Sequence, residues 1–226
     1  MAARYVEQLD MGTDVRVLRG GLGAEVRPDV LADCDVIVSC VDAHTPRALL
    51  NRLAYACAIP VIDLGSAFRV DEHGCVVAGA GRVVVVGPGR PCLGCWGHLD
   101  PTRLRIEALS SKDRAELAAE GYVQGADVPQ PSVIAFNTLV SGAAVVELLR
   151  LVTAFAGADD APLRLSFDFI TGSVRRNRLA ASVACRICGA CSADGTLVTR
   201  AAVHDFGANC DFASSDTPRD RQTVAY

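Results

Sequence analysis

The chain has 226 residues, of which half are hydrophobic and about a fifth are charged, and its formal net charge is −4. A chain of this length and composition can bury the core of one domain, or of one domain with an appendage. The acidic balance argues against nucleic acid as the main partner, because domains that bind nucleic acid carry a basic surface.

The first part of the chain alternates predicted strands and helices, which is the pattern of a doubly wound α/β sheet. Residues 35–40 form the clearest strand, since their apolar run is typical of a buried parallel strand. Thr45 can cap the next helix with Pro46 at its first position. The predicted elements are helices at 2–9, near 28–32 and at 46–57, and strands at 14–18, 35–40 and 60–64.

Beyond residue 66 the pattern changes to an antiparallel extension, with Asp-Glu-His-Gly and Gly-Ala-Gly turns between short strands. The longest apolar run, 132–155, contains Asn137, Glu147 and Arg150, which a membrane span would bury at high cost. We therefore interpret it as a core helix capped by Ser132 and expect no membrane partner. The remaining predicted elements are strands at 67–70, 75–78 and 82–86, helices at 101–109 and 112–120, and a hairpin of 163–169 with 173–178.

The ten cysteines indicate reduced thiols or metal ligands, because the first ten residues mix charged and polar groups and do not resemble a secretory signal. We expect the protein to be cytoplasmic on this ground.

Two CxxC pairs, Cys92 with Cys95 and Cys185 with Cys188, have the spacing of metal ligands. A gap of two residues lets both thiolates of a pair face one ion, and two pairs complete the tetrahedral shell of a structural Zn²⁺ site. A redox CxxC motif and a chance pairing are the alternatives. Cys191 could also replace Cys188 as the fourth ligand.

Asp42 follows the predicted strand at 35–40, and ligands of open α/β sheets bind outside the carboxyl ends of the strands. A carboxylate there can hold Mg²⁺ against nucleotide phosphates. The alternative is that Asp42 caps the following helix.

The motifs around Asp42 resemble the ThiF/MoeB/HesA family, which is related to ubiquitin-activating enzymes. Asp42, Arg47 and Asn51 in DAHTPRALLN are similar to the D-x4-R-x3-N signature of that family, and IPVIDLGSAFRVDEHG resembles the segment that follows it. PCLGC and CRIC lie where the family has its two zinc pairs, and PQPSVI resembles the start of its crossover helix. The resemblance covers residues 1–189, which we predict to be one part of an adenylation domain, with 190–226 as a disordered tail.

The resemblance implies ATP-dependent adenylation of the C-terminal glycine of a ubiquitin-like or sulfur-carrier protein. It implies that Asp42 is catalytic and binds Mg²⁺ and the triphosphate, and that Arg47 and Asn51 shape the nucleotide site. These two side chains could instead be ordinary surface or capping groups of a helix. The resemblance further implies a homodimer, structural Zn²⁺ and a Rossmann-like, mostly parallel sheet with an antiparallel extension.

Three features depart from the family pattern. No Gly-rich strand–turn–helix with its phosphate-binding residues precedes the motifs, so we expect a sheet that is incomplete at its N-terminus, an N-terminally truncated chain and impaired ATP binding. Ala43 stands where the family has asparagine, and residues 121–129 lack the cysteine of members that form a thioester. A covalent transfer step is therefore not expected.

Two other functions compete with adenylation. One is a catalytically inactive, zinc-stabilised module that binds a ubiquitin-like protein or an active partner subunit, which the apolar helix and the missing cysteine favour. The other is a nicotinamide-dependent oxidoreductase, which fits the α/β alternation but lacks the glycine fingerprint of dinucleotide-binding folds.

Overall fold

The computed structural model describes residues 2–119, 133–157 and 164–189, and a five-stranded sheet organises them. The strands lie side by side in chain order, from β1 to β5. The first pairing, β1 with β2, is parallel, and the three that follow are antiparallel. The strands are β1 (Ile37–Ser39), β2 (Val61–Val70), β3 (Val76–Val86), β4 (Arg164–Asp168) and β5 (Ser173–Asn177).

This sheet confirms the predicted α/β class and the antiparallel extension. Within the described residues the extension makes up most of the sheet, so that part of the sheet is mostly antiparallel rather than mostly parallel. The reason is that 61–70 and 76–86 each form one long strand, where the sequence suggested shorter pieces.

The predicted helices are present with shifted ends. A short 3₁₀ turn, Pro28–Leu31, stands where a short helix was expected. Ser132, the predicted cap of the long helix, and the predicted tail at 190–226 lie outside the described residues. The helices are α1 (Ala2–Gln8), α2 (His44–Ala56), α3 (Pro101–Ala108), α4 (Ser111–Ala119) and α5 (Ile134–Thr153).

Two strand-level predictions are wrong. Residues 14–18 form no strand, and the nearest pairing is a single bridge between Leu22 and Val26. The Gly-Ala-Gly segment is part of β3 and not a turn. Its glycines make room for aromatic rings, because a Cβ on Gly79 would lie 2.9 Å from the Phe68 ring and one on Gly81 would lie 2.6 Å from the Phe169 ring.

The two faces of the sheet bury separate apolar cores, as the alternation of side chains along a strand requires. On one face, Val61 and Val84 pack with α2 and with the loop that contains Cys92. On the other face, Ile62 and Val83 pack against α5. This arrangement places α2 and the cysteine loops on the same side of the sheet.

The long apolar helix α5 is a core helix on one face only. Val140, Ala144 and Glu147 are buried, whereas Ile134 is 83% exposed and Phe155, just beyond the helix, is 61% exposed. By length and composition alone α5 could cross a membrane, but one such helix is weak evidence for a span. Its contacts with β2 and β3 support the predicted packing on the sheet.

Candidate functional site

The four cysteines of the two CxxC pairs converge in one cluster. The Sγ atoms of Cys92 and Cys185 are 3.7 Å apart, those of Cys95 and Cys188 are 3.5 Å apart, and those of Cys92 and Cys95 are 3.8 Å apart. All four lie within 4.8 Å of one another. A tetrahedral ion with metal–sulfur bonds of about 2.3 Å separates its sulfur atoms by roughly 3.8 Å. The cluster therefore has the geometry to hold one metal ion, and the predicted convergence of the four cysteines is confirmed.

Helix α2 holds the first cysteine loop in place with two polar side chains. The Oδ1 atom of Asn51 accepts a hydrogen bond of 2.9 Å from the backbone N–H of Leu93, between the two cysteines. The hydroxyl of Tyr55 donates to the carbonyl of Arg90 at 2.9 Å and accepts from the N–H of Gly87 at 3.3 Å. The geometry of this loop thus depends on α2.

The second cysteine loop requires a glycine directly after Cys188. A Cβ on Gly189 would lie 2.5 Å from the carbonyl oxygen of Val183 and 2.7 Å from that of Ser182. The N–H of Gly189 donates to the carbonyl of Cys185, and this hydrogen bond closes the loop that contains Cys188. Cys191, the alternative ligand, lies outside the described residues, and the structure brings Cys188 to the cluster.

Two of the four cysteines, Cys92 and Cys188, are fully buried, and Cys95 and Cys185 are partly exposed. Burial is the main cause that raises the pKa of the Cys92 thiol to about 11. Burial also opposes ionisation of Cys185, but the N–H groups of Cys188 and Ile187 donate to its sulfur and lower its pKa to about 6. A bound cation would favour the thiolate form of all four ligands. With four sulfur ligands no position remains open for water, which is the arrangement of a structural site.

Asp42 lies in the loop that joins β1 to α2, and its side chain is exposed. The structure therefore places it outside the carboxyl end of a parallel strand, as predicted. The guanidinium Nη2 of Arg47 donates to the carbonyl of Val41, the residue before Asp42. Arg47 and Asn51 are both buried, so the alternative that they are surface groups of the helix is wrong.

A buried ionic network under this loop was not predicted. Asp63 on β2 is fully buried and accepts from Ser39 at 3.1 Å, from Nε of Arg47 at 2.9 Å and from Nη2 of Arg82 at 3.2 Å. One carboxylate thus joins β1, β2, β3 and α2. The sequence signal was a single acid inside the apolar segment Val61-Ile62-Asp63-Leu64, where an unpaired charge would be too costly to bury.

His98 lies beside the same cationic side chains. Its buried Nε2 atom has no hydrogen-bond partner among the described residues. Burial, with Arg82, Arg164 and Arg47 nearby, lowers the pKa of His98 to about 3. The imidazole is therefore neutral at physiological pH.

Acidification is expected to destabilise the fold through His98. Its pKa in the folded state is below the value of about 6.5 for an unfolded chain, so the unfolded state binds the proton more tightly and stability is lost as the pH falls from about 6.5 towards 3. The contribution is at most about 1.4 kcal/mol per pH unit. We expect the free energy of unfolding, measured with urea, to fall less between pH 7.5 and pH 5.5 in His98→Gln than in the wild type.

The matched control for this measurement is His73→Gln, which replaces an exposed histidine of the surface. Metal content is measured at both pH values, so that loss of the ion is not mistaken for protonation of the imidazole. Equal pH dependence of His98→Gln and the wild type would contradict the assignment.

A second group that sequence reasoning missed is Glu107 on α3. Its carboxylate accepts from the backbone N–H of His44 at 2.9 Å and from that of Thr45 at 2.6 Å. It therefore caps α2, and the predicted cap Thr45 is instead the second residue of the helix. No local pattern links residues so far apart in sequence.

Comparison with known proteins places the chain by sequence and by fold. A family model described as the ThiF family matches residues 1–187. No curated protein matches the chain significantly. Escherichia coli MccB, solved with succinimide, has a similar fold, with a TM-score of 0.50 and 11% identity over 76% of this chain and 44% of the MccB chain.

Two further solved structures match at lower TM-scores. E. coli MccB with AMPCPP and MccA matches with a TM-score of 0.47 and 12% identity, over 76% of this chain and 44% of that one. The heterocyclase TruD matches with a TM-score of 0.43 and 14% identity, over 77% of this chain and 27% of that one. The chain thus spans less than half the length of the MccB chains that it matches.

Proposed function

The chain belongs to the ThiF family, and on this premise we propose that it acts in ATP-dependent adenylation of the C-terminal glycine of a ubiquitin-like or sulfur-carrier protein, with the impaired ATP binding expected above. The observation that supports this proposal most directly is the exposed carboxylate of Asp42 outside the carboxyl end of β1. The neighbouring carbonyl of Val41 is held by the buried Arg47, which limits the motion of the loop.

In the proposed reaction Asp42 would hold Mg²⁺, which would supply positive charge against the phosphates of ATP. The terminal carboxylate of the carrier attacks the α-phosphorus of ATP and pyrophosphate leaves, so that an acyl-adenylate forms. Arg47 shapes the site through the Val41 carbonyl and through its ion pair with Asp63. Asn51 contributes indirectly, because its amide oxygen holds the loop of the first cysteine pair.

We propose Zn²⁺ as the ion of the four-cysteine cluster. Four thiolates at tetrahedral separations are the preferred ligand set of structural zinc. Mg²⁺ and Ca²⁺ prefer oxygen ligands to the soft sulfur of a thiolate. The ion would join the loop after β3 to the loop after β5.

Replacement of Asp42 by Ala tests the proposed reaction. Carrier-dependent exchange of labelled pyrophosphate into ATP is expected to fall by about 100-fold or more, because a metal ligand contributes several kcal/mol to stabilisation of the transition state. The metal content of the cysteine cluster should not change. Asp33→Ala is the matched control, since this exposed aspartate lies before β1 rather than after it. Unchanged exchange in Asp42→Ala would remove this residue from the mechanism.

A second candidate function is a catalytically inactive module that binds a ubiquitin-like protein or an active partner subunit. The apolar surface of α5 favours it, because Ile134, Leu139 and Val152 are more than half exposed. Binding of a glycine-terminated carrier by the wild type, with no pyrophosphate exchange under any condition, would support the module over the enzyme. Exchange that depends on Asp42 would support the enzyme.

We propose that the protein is a cytoplasmic homodimer and that the exposed face of α5 forms part of the contact. The exposed Val145, Leu149 and Val152 lie on this face. Exposed apolar patches of this kind are common at protein–protein contacts.

A further inference from the structure

We propose that Glu107 is a positioning residue for the Asp42 loop and that it connects this loop to the four-cysteine cluster. The role of Asp42 rests on the proposed function. The contact between Glu107 and α2 does not depend on it.

The first turn of α2 has few other ways to satisfy its backbone donors. Ala43, at the N-cap position, makes no side-chain hydrogen bond to the helix, and Pro46 has no N–H. Glu107 uses one carboxylate oxygen for the N–H of His44 and the other for the N–H of Thr45. Both oxygens of one side chain therefore fix the two residues that follow the loop.

Helix α3 touches the start of α2 at a second point. The backbone N–H of Asp100 donates to Nδ1 of His44 at 3.2 Å. The side chain of Asp100 also caps α3 itself, accepting from the N–H of Thr102 at 2.8 Å. Both ends of α3 are thus tied to the residues just after Asp42.

The position of α3 depends in turn on the first cysteine loop. Only four residues separate Cys95 from Asp100, and within this segment the N–H of His98 donates to the carbonyl of Leu93 at 2.9 Å. A metal-bound loop would therefore fix the start of α3. The connection runs from the cysteine cluster through α3 to the first turn of α2.

Charge supports this geometry. Burial raises the pKa of Glu107, but the hydrogen bonds from His44 and Thr45 outweigh burial and lower this pKa. The carboxylate stays ionised at neutral pH and lies at the positive end of the α2 dipole. Arg47 holds the carbonyl of Val41 from the other side, so the short segment with Asp42 is fixed at both ends.

Amide hydrogen exchange of the full, metal-loaded chain tests the contact without any nucleotide. In Glu107→Ala, exchange at residues 44 and 45 is expected to be at least about 10-fold faster than in the wild type, because exchange rises when a protecting hydrogen bond is lost. Glu107→Gln, which keeps the shape and one acceptor oxygen, should lie between the two. Glu116→Ala on α4, which removes an exposed carboxylate paired at 3.9 Å with Lys112, is the matched control and should leave exchange unchanged.

The dependence of pyrophosphate exchange on Mg²⁺ tests the positioning role. Glu107→Ala should raise the KM for Mg²⁺ by about 10-fold with a smaller change in kcat, as expected when Asp42 is displaced rather than removed. In Glu107→Gln the KM for Mg²⁺ should lie between those of Glu107→Ala and the wild type. An unchanged KM for Mg²⁺ in Glu107→Ala, with Asp42→Ala inactive, would overturn the positioning role and leave the proposed function standing. Unchanged amide exchange at 44 and 45 would overturn the contact itself. Faster amide exchange with no effect of Asp42→Ala on catalysis would sink the proposed function and leave the contact established.

Discussion

Cys92→Ser is expected to abolish metal binding and to unfold the side of the molecule that contains the cysteine loops. Structural zinc contributes on the order of 10 kcal/mol to folding in zinc-finger peptides, which is comparable with the whole stability of a typical domain. The sulfur of Cys92 is fully buried and lies 3.7 Å from that of Cys185, so no water can substitute for it without opening the core. The measurement is metal content per chain together with thermal unfolding followed by circular dichroism.

The matched control for this variant is Cys75→Ser. Cys75 is exposed just before β3 and lies outside the cluster, so its replacement should keep both the metal and the melting temperature. A strong chelator added to the wild type should reproduce the effect of Cys92→Ser. Retention of a full equivalent of metal by Cys92→Ser, or a melting curve equal to that of the wild type, would contradict the structural role of the site.

Asp63→Ala is expected to destabilise the protein by about 3–5 kcal/mol, because it leaves the buried guanidinium of Arg47 and the partly buried one of Arg82 without their counter-ion. Arg47 is almost fully buried and makes its short ion pair of 2.9 Å with Asp63. Arg82 pairs with the other carboxylate oxygen at 3.2 Å. Urea unfolding should show a lower midpoint, while the cysteine cluster keeps its metal.

Two further variants distinguish lost charge from lost shape at this position. Asp63→Asn keeps the hydrogen-bond acceptor for Ser39 but not the charge, so its effect should be smaller than that of Asp63→Ala. Glu72→Ala removes an exposed carboxylate 3.5 Å from His73 and should change stability by less than about 1 kcal/mol. A loss below about 1 kcal/mol in Asp63→Ala would show that the network contributes little to folding.

The sequence predicted the metal cluster well because the necessary chemistry is local. Each CxxC pair defines two ligands by its own spacing, and a tetrahedral ion needs two such pairs wherever they lie in the chain. The position of Asp42 after a strand was predicted for a similar reason, since the end of an apolar strand is visible as a local change from Val41 to Asp42.

The contacts that hold these groups in place depend on the tertiary structure and could not be predicted from local pattern. Glu107 caps α2 only because α3 lies across its start, so Thr45, a good local cap, is displaced from that role. Gly79 and Gly81 suggested a turn, but their lack of a Cβ serves the aromatic packing of Phe68 and Phe169 inside one strand. The charge of Asp63 can be buried in its strand because Arg47, on α2, forms an ion pair with it.

X-ray absorption at the zinc edge of the purified wild-type protein tests the closed four-sulfur centre most directly. We expect one zinc per chain with four sulfur atoms at about 2.3 Å and no nitrogen or oxygen ligand. A spectrum that requires nitrogen or oxygen in the first coordination shell would contradict the four-sulfur site. A protein that folds fully without metal would contradict its structural role.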